Sequence, residues 1–232
     1  MANLISLERV SLVFGTSHVL DDVSLGVLTG DRIGVVGVNG GGKSTLLRVM
    51  AGLQEPDSGR ITKQGGEGGI RIGMLSQEDS LDPGWTIREA VLGDLPEHVW
   101  AGDPRIRDVL TGLLGGIEAQ NVGGLDSRVG PKSGGERRRL ALARLLVSDP
   151  ELLLLDEPFE GLSPAIIPAV SRGLAEITQR GHAILLAESN IHHVPEFATR
   201  LYVIERGEII FAGRPDAVRG DAATMRIIAG VA

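Results

Sequence analysis

Short apolar strands alternating with helical segments predict an α/β domain whose sheet is largely parallel and covered by helices. Two stretches, Ile33-Gly34-Val35-Val36 and Leu152-Leu153-Leu154-Leu155, are short, apolar and uncharged, the mark of strands buried on both faces. Helical segments follow both, opening near Lys43 and near Ile166. The chain has 232 residues, 42% of them hydrophobic and 23% charged, which suits one large domain with an inserted lobe and excludes global disorder.

The elements follow in order. Leu4–Leu7, Val10–Phe14 and Val23–Val27 alternate in part and read as strands, with turns at Gly15-Thr16-Ser17 and Gly30-Asp31. A helix runs from Lys43 through Met50, with Gly52 as its stop. Pro56–Ile61 is a turn entering a strand, the glycine-rich stretch 65–69 reads as a hairpin tip or loop, and Ile70–Leu75 is the next strand. Residues 86–118 turn helical, with interruptions at Pro96, Gly102 and Pro104, and form an inserted helical lobe at about 78–133. A further helix follows Gly134 as far as Leu146. Ile166–Thr178 is a helix with Pro168 in its first turn, and Ala183–Leu186 is a third buried strand. Leu201–Ile204 and Ile209–Phe211 flank Glu205-Arg206-Gly207-Glu208 as a hairpin would.

Composition narrows the function. The chain has no cysteine, so disulfides and thiolate–metal sites are excluded. Residues 1–9 lack a basic segment followed by an apolar run, and no stretch reaches the roughly 18 to 20 apolar residues of a membrane span. The expectation is a cytoplasmic protein that meets a membrane only through a partner. A net charge of −7 disfavours direct nucleic-acid binding. Arg137-Arg138-Arg139 has two readings, a solvated helix face or a local basic surface.

Gly37-Val38-Asn39-Gly40-Gly41-Gly42-Lys43-Ser44 fits glycine, four residues, then Gly-Lys-Ser, between a predicted strand and a predicted helix. Such glycines let backbone N–H groups converge on phosphate at a helix N-terminus. Lys43 would lie along the β- and γ-phosphates of ATP, Thr45 would help hold them, and the Ser44 hydroxyl would coordinate Mg²⁺. The leucine strand then delivers Asp156 and Glu157 to its C-terminal end, where open α/β sheets bind ligands. Neighbouring strand residues point to opposite faces, so Asp156 would address the metal through water and Glu157 the attacking water.

On these residues the sequence resembles the ATP-binding cassette (ABC) family, whose fold adds an N-terminal antiparallel β subdomain and a helical lobe to the nucleotide-binding core. Ser133-Gly134-Gly135-Glu136 resembles the family's signature, with Lys132 where leucine is usual. Gln77 resembles the Q-loop glutamine, which the family places at the metal and the reacting water. The resemblance implies a head-to-tail dimer with two ATP molecules at its interface. Each ATP would lie between one phosphate loop and the opposite copy's Ser133, Gly134, Gly135 and Glu136. Phe14 matches the position that stacks on adenine, or is an ordinary strand core residue. Ser189 occupies the switch position where histidine is common; His192 and His193 are nearby in another register. Ser163 stands where the family usually has aspartate.

Two subfamilies are resembled. Leu81–Val91 and Gly134–Arg139, within residues 1–155, look like the first cassette of an ABC-F protein, a soluble class that acts on the ribosome. Asp156–Pro164, Ala187–Asn190 and Glu205–Gly213, within residues 156–232, look like the ATPase subunit of a branched-chain amino-acid importer. The resemblance thus implies an ATPase driving solute transport through transmembrane permease subunits. A soluble ribosome-directed ATPase and an engineered or chimeric ATP-binding domain are its alternatives.

Overall fold

The computed structural model describes residues 2–64, 69–77, 81–218 and 220–228. The glycine-rich tip expected at 65–69 falls mostly outside them. The chain forms two compact units. The first comprises residues 1–76, 151–157 and 177–232, the second 77–150 and 158–176.

The first unit opens with β1 (Asn3–Phe14) and β2 (Ser17–Leu28), which pair antiparallel around Gly15. They are longer than the alternating segments suggest. Arg9 and Asp22 adopt left-handed backbone (φ 52° and 50°) at bulges that break the apolar alternation. A third strand, β4 (Ser58–Lys63), pairs with the other edge of β1, giving an antiparallel sheet in the order β2-β1-β4.

The larger sheet is built from β3 (Arg32–Val36), β5 (Ile72–Leu75), β6 (Leu152–Asp156), β7 (Ala183–Glu188), β8 (Arg200–Glu205) and β9 (Glu208–Gly213). Its order is β5-β6-β7-β3-β8-β9, parallel throughout except for the antiparallel β8–β9 hairpin. Arg206 and Gly207 both have positive φ in the hairpin turn, as a type I′ connection requires. The leucine run divides by the strand period. Leu152 and Leu154 join Ile33, Val35, Leu185 and helix α1 (Lys43–Ala51) in the main core, and Leu153 and Leu155 are fully buried as well. Gly52 ends α1 in left-handed conformation.

The second unit is mainly helical: α2 (Ile87–Leu92), α3 (Glu97–Trp100), α4 (Pro104–Leu114) and α5 (Gly134–Val147). Pro96 and Pro104, which read as interruptions, begin helices instead. Pro96 is the N-cap of α3, and Pro104 follows the Asp103 cap of α4, where a missing N–H costs nothing. Helices α2 and α4 pack on α5, with Ile87, Leu110, Leu114, Leu140 and Leu142 buried. Helix α6 (Ile167–Gln179) starts in the second unit and ends in the first. Two short helices, α7 (Pro215–Val218) and α8 (Ala222–Ile228), had no signal in the pattern reading; Val218 and Ile228 pack with Val36, Leu201 and Val203.

Candidate functional site

The loop Gly37–Ser44 leaves the C-terminal end of β3 and runs into α1. Its backbone is braced from several sides. The Gly37 amide donates to the Glu188 carbonyl at 3.3 Å, and the Gly41 amide to that of Val38 at 3.0 Å. The Gly207 amide, in the β8–β9 turn, donates to the Gly41 carbonyl at 3.1 Å. A side chain at Gly37 would collide with the Ile204 carbonyl. Gly42 combines φ 102° with a space in which a Cβ would lie 2.5 Å from the Val19 carbonyl, so only glycine fits. Gly42 is also the N-cap of α1, and no side chain caps that helix. The first-turn amides and the helix dipole therefore suit an anion. Asn39 and Gly40 are exposed at the loop's tip, while Ser44 and Thr45 are half-buried in the first turn.

The Lys43 side chain folds back over the loop. Its ammonium donates to the carbonyls of Gly37 (2.8 Å) and Val38 (3.3 Å) and lies 3.4 Å from Glu157 Oε1. Both partners of this ion pair are largely buried. Asp156, the last residue of β6, is also buried. Strand alternation does not set the direction of Glu157: it lies past the strand end in left-handed conformation (φ 50°), its amide donating to the Ala187 carbonyl at 2.9 Å. The Ser189 hydroxyl donates to Glu157 Oε2 at 3.3 Å. The structure thus brings Lys43, Glu157 and Ser189 into one linked group beside the loop. Phe14, at the end of β1, is 53% exposed, which removes the core reading and leaves a ring available for stacking.

Among the described residues no three His, Cys, Asp or Glu side chains cluster as a metal site. Mg²⁺ takes one or two protein groups plus phosphate oxygens. The half-buried Ser44 hydroxyl and the buried Asp156 carboxylate would suit it as oxygen donors.

The remaining predicted residues belong to the second unit. Ser133 is the N-cap of α5 in a reciprocal capping box: its hydroxyl accepts from the Glu136 amide at 3.3 Å and contacts Glu136 Oε2 at 2.7 Å, and its amide donates to Oε2 at 2.8 Å. These bonds, the hydroxyl's first and the amide's second, hold the Glu136 carboxyl below its ordinary range. Gly134 faces open space, whereas a Cβ on Gly135 would lie 2.8 Å from the Gly161 carbonyl. Gln77 donates its amide to Glu160 Oε2 at 3.0 Å, a partnership no spacing rule would suggest. Lys132 is half-buried. Arg139 is buried and donates to the Leu113 carbonyl, and the exposed Arg137 reaches the Gly130 carbonyl.

The Ser189–Glu157 contact is the functional feature that the pattern reading missed. Its signal was present only as two residues just beyond neighbouring parallel strand ends, whose register pairs Asp156 with Ala187.

Comparison with known proteins places this geometry in a family. The ABC transporter family matches residues 20–160. The Nod factor export ATP-binding protein I of Rhizobium sp. (strain N33) is 35% identical over 221 residues, covering 92% of this chain and 72% of that protein. That match runs across position 155, where the two subfamily resemblances meet. An ATP-binding cassette of an ABC transporter in its ADP conformation superposes with a TM-score of 0.78 at 24% identity, covering 99% of this chain and all of that one. A dimeric ATP-binding cassette in a post-hydrolysis state with ADP and phosphate gives 0.77 at 19% identity, covering 91% and 99%. No helix among the described residues is long and apolar enough to cross a membrane. This chain belongs to the ABC transporter family, as an ATP-binding and ATP-hydrolysing domain.

Proposed function

We propose that this chain is the ATPase subunit of a membrane transporter, working as a head-to-tail dimer or as one half of a paired ATPase. The observation that carries the chemistry is the Lys43 ammonium 3.4 Å from Glu157 beside a helix N-terminus that no side chain caps. In this reading the amides of Gly40–Thr45 and Lys43 bind the β- and γ-phosphates, and Phe14 stacks on adenine. Ser44, and Asp156 through water, would hold Mg²⁺, which would supply charge neutralisation at those phosphates. Glu157 takes the proton from the attacking water as oxygen adds to the γ-phosphorus and ADP leaves. The Ser133–Glu136 turn of the opposite copy caps the γ-phosphate, so each copy supplies half of two sites.

The 35% identity with an export protein along most of the chain supports export as the direction of transport. Branched-chain amino-acid import is the second reading, favoured by the segments Asp156–Pro164, Ala187–Asn190 and Glu205–Gly213. A ribosomal role has less support, since a net charge of −7 disfavours nucleic-acid binding and Arg139 is buried.

The dimer is tested by measuring molecular size of the Glu157→Gln variant with and without Mg-ATP. The expected result is a monomer that doubles in mass with nucleotide. A species that stays monomeric at high concentration refutes the composite site. Copurification from membranes with a permease, against nucleotide-dependent cosedimentation with ribosomes, decides between the coupled partners.

A further inference from the structure

Phe14 offers its ring from the tip of the β1–β2 hairpin, and core packing does not hold that tip. Residues 14–18 are all exposed. The ladder to β2 shifts register between Leu12 and Val13. The ladder to β4 ends at Ser11, which faces Ser58. Hydrogen bonds therefore decide where the end of β1 points. Asp57, the residue just before β4, occupies the edge that this strand leaves open. Its amide donates to the Ser11 carbonyl at 2.9 Å, and its Oδ2 accepts from the Val13 amide at 2.7 Å. Residues two apart on a strand face the same neighbour, so the carboxylate stands in for the backbone carbonyl that a longer β4 would offer Val13. Gly59 fixes this placement. Its φ is 93°, and a Cβ there would collide with the Arg9 carbonyl, so the start of β4 lies flush against the bulge in β1. Among the described residues, Asp57 makes the one side-chain bond to residues 12–18.

The geometry points to Asp57 as a positioning residue for the nucleobase: it fixes the end of β1 through the Val13 amide and so holds the Phe14 ring where adenine stacks. The proposal rests on the reading of Phe14 as that ring. A ring already held in place loses little freedom when a base lands on it, whereas a frayed strand end must be ordered at the moment of binding. A carboxylate suits the task, because an ionised acceptor bonds an amide more strongly than a neutral one. Asp57 makes no described bond to the loop Gly37–Ser44, so its contribution belongs to the base and not to the phosphates.

The test is equilibrium binding, by calorimetry with Mg²⁺ present, of ATP and of inorganic tripolyphosphate. The full chain is compared with Asp57→Ala, Asp57→Asn, Phe14→Ala, and Asp57→Ala combined with Phe14→Ala. Asp57→Ala should weaken ATP binding by about three- to tenfold, the scale of one hydrogen bond. It should leave tripolyphosphate, which has no base to stack, unchanged; that retained binding also shows the variant to be folded. Asp57→Asn keeps an acceptor oxygen and should recover most of the loss. Phe14→Ala should weaken ATP by about tenfold or more, the scale of one aromatic ring stacked on a base. Once the ring is gone, Asp57→Ala should cost nothing further. The proposal is overturned if Asp57→Ala leaves ATP affinity intact, if it weakens tripolyphosphate by the same factor, or if it costs the same again without the ring. Failure of the underlying reading looks different: Phe14→Ala would then itself leave ATP affinity unchanged.

Discussion

Helices α1 and α5 both begin where the sequence predicts phosphate contact, yet their first turns are finished in opposite ways. Helix α1 starts at Gly42, without a side-chain cap, so its leading amides are left for a ligand. Helix α5 starts with Ser133 and Glu136 bonded to each other and to the two amides nearest them. The first helix is poised for an anion, and in the second the Ser133 hydroxyl and the Ser133 and Glu136 amides already have partners within the chain. In the proposed dimer, Ser133 must therefore exchange its bond to Glu136 for one to the opposite copy's nucleotide. The α5 cap thus works as a structural element in the single chain and as a binding element only in the assembly. Helix α2 opens with the same box, formed by Thr86 and Glu89, as expected of a local capping device.

This contrast can be broken most severely at Lys43. Lys43→Ala removes a buried ammonium on the phosphate side of α1, and ATP affinity should fall by roughly a hundredfold or more, the scale of two charge-assisted bonds. Equilibrium nucleotide titration measures it; unchanged affinity would reassign the loop. Next comes Glu157→Gln, expected to slow hydrolysis by about 10²- to 10⁴-fold while leaving ATP binding in place. Single-turnover kinetics checks this.

A matched pair of glycine substitutions sharpens the contrast further. Gly42→Ala forces φ 102° on an L-residue and meets the Val19 carbonyl, and should cost about 1 to 3 kcal/mol of stability. Gly134→Ala meets nothing within 4 Å and should leave the melting temperature essentially unchanged. If Gly134 faces the opposite copy's nucleotide, the same alanine should still weaken ATP-dependent dimerisation, read by light scattering.

The smallest effect is on the α5 cap. Ser133→Ala should cost about 1 kcal/mol in denaturant unfolding. Because the Glu136 carboxyl titrates lower in the folded chain than its ordinary 4.5, its stabilising contribution is complete above that pH. It disappears as pH falls through the lowered folded value. Thermal melts of wild type and Glu136→Gln should therefore converge on acidification below the ordinary carboxyl value. Parallel curves would show that the carboxylate does not hold the cap.

Much of this was legible in the sequence because it depends on local chemistry. Gly37–Ser44 between strand and helix, Leu152–Leu155 before two carboxylates, and the Glu205–Glu208 hairpin each follow from spacing and residue type. The bulges at Arg9 and Asp22 hid the true length of β1 and β2, since a bulge resets the alternation on which a strand is recognised. Pro96 and Pro104 were misread as breaks because proline punctuates a helix at its start as readily as at its end. The Ser133-x-x-Glu136 spacing did contain its capping box, but a phosphate role offered itself first. The Gln77–Glu160 and Ser189–Glu157 bonds join residues 83 and 32 positions apart. They depend on which strands lie side by side, which no local window contains.

One consequence follows from the folded-back Lys43. Its ammonium already bonds the Gly37 and Val38 carbonyls and pairs with Glu157. A nucleotide that recruits it therefore exchanges existing buried contacts for new ones instead of capturing a hydrated cation. Such an exchange displaces few small ions, so added electrolyte will weaken ATP binding at this site less than the nucleotide's own charge implies.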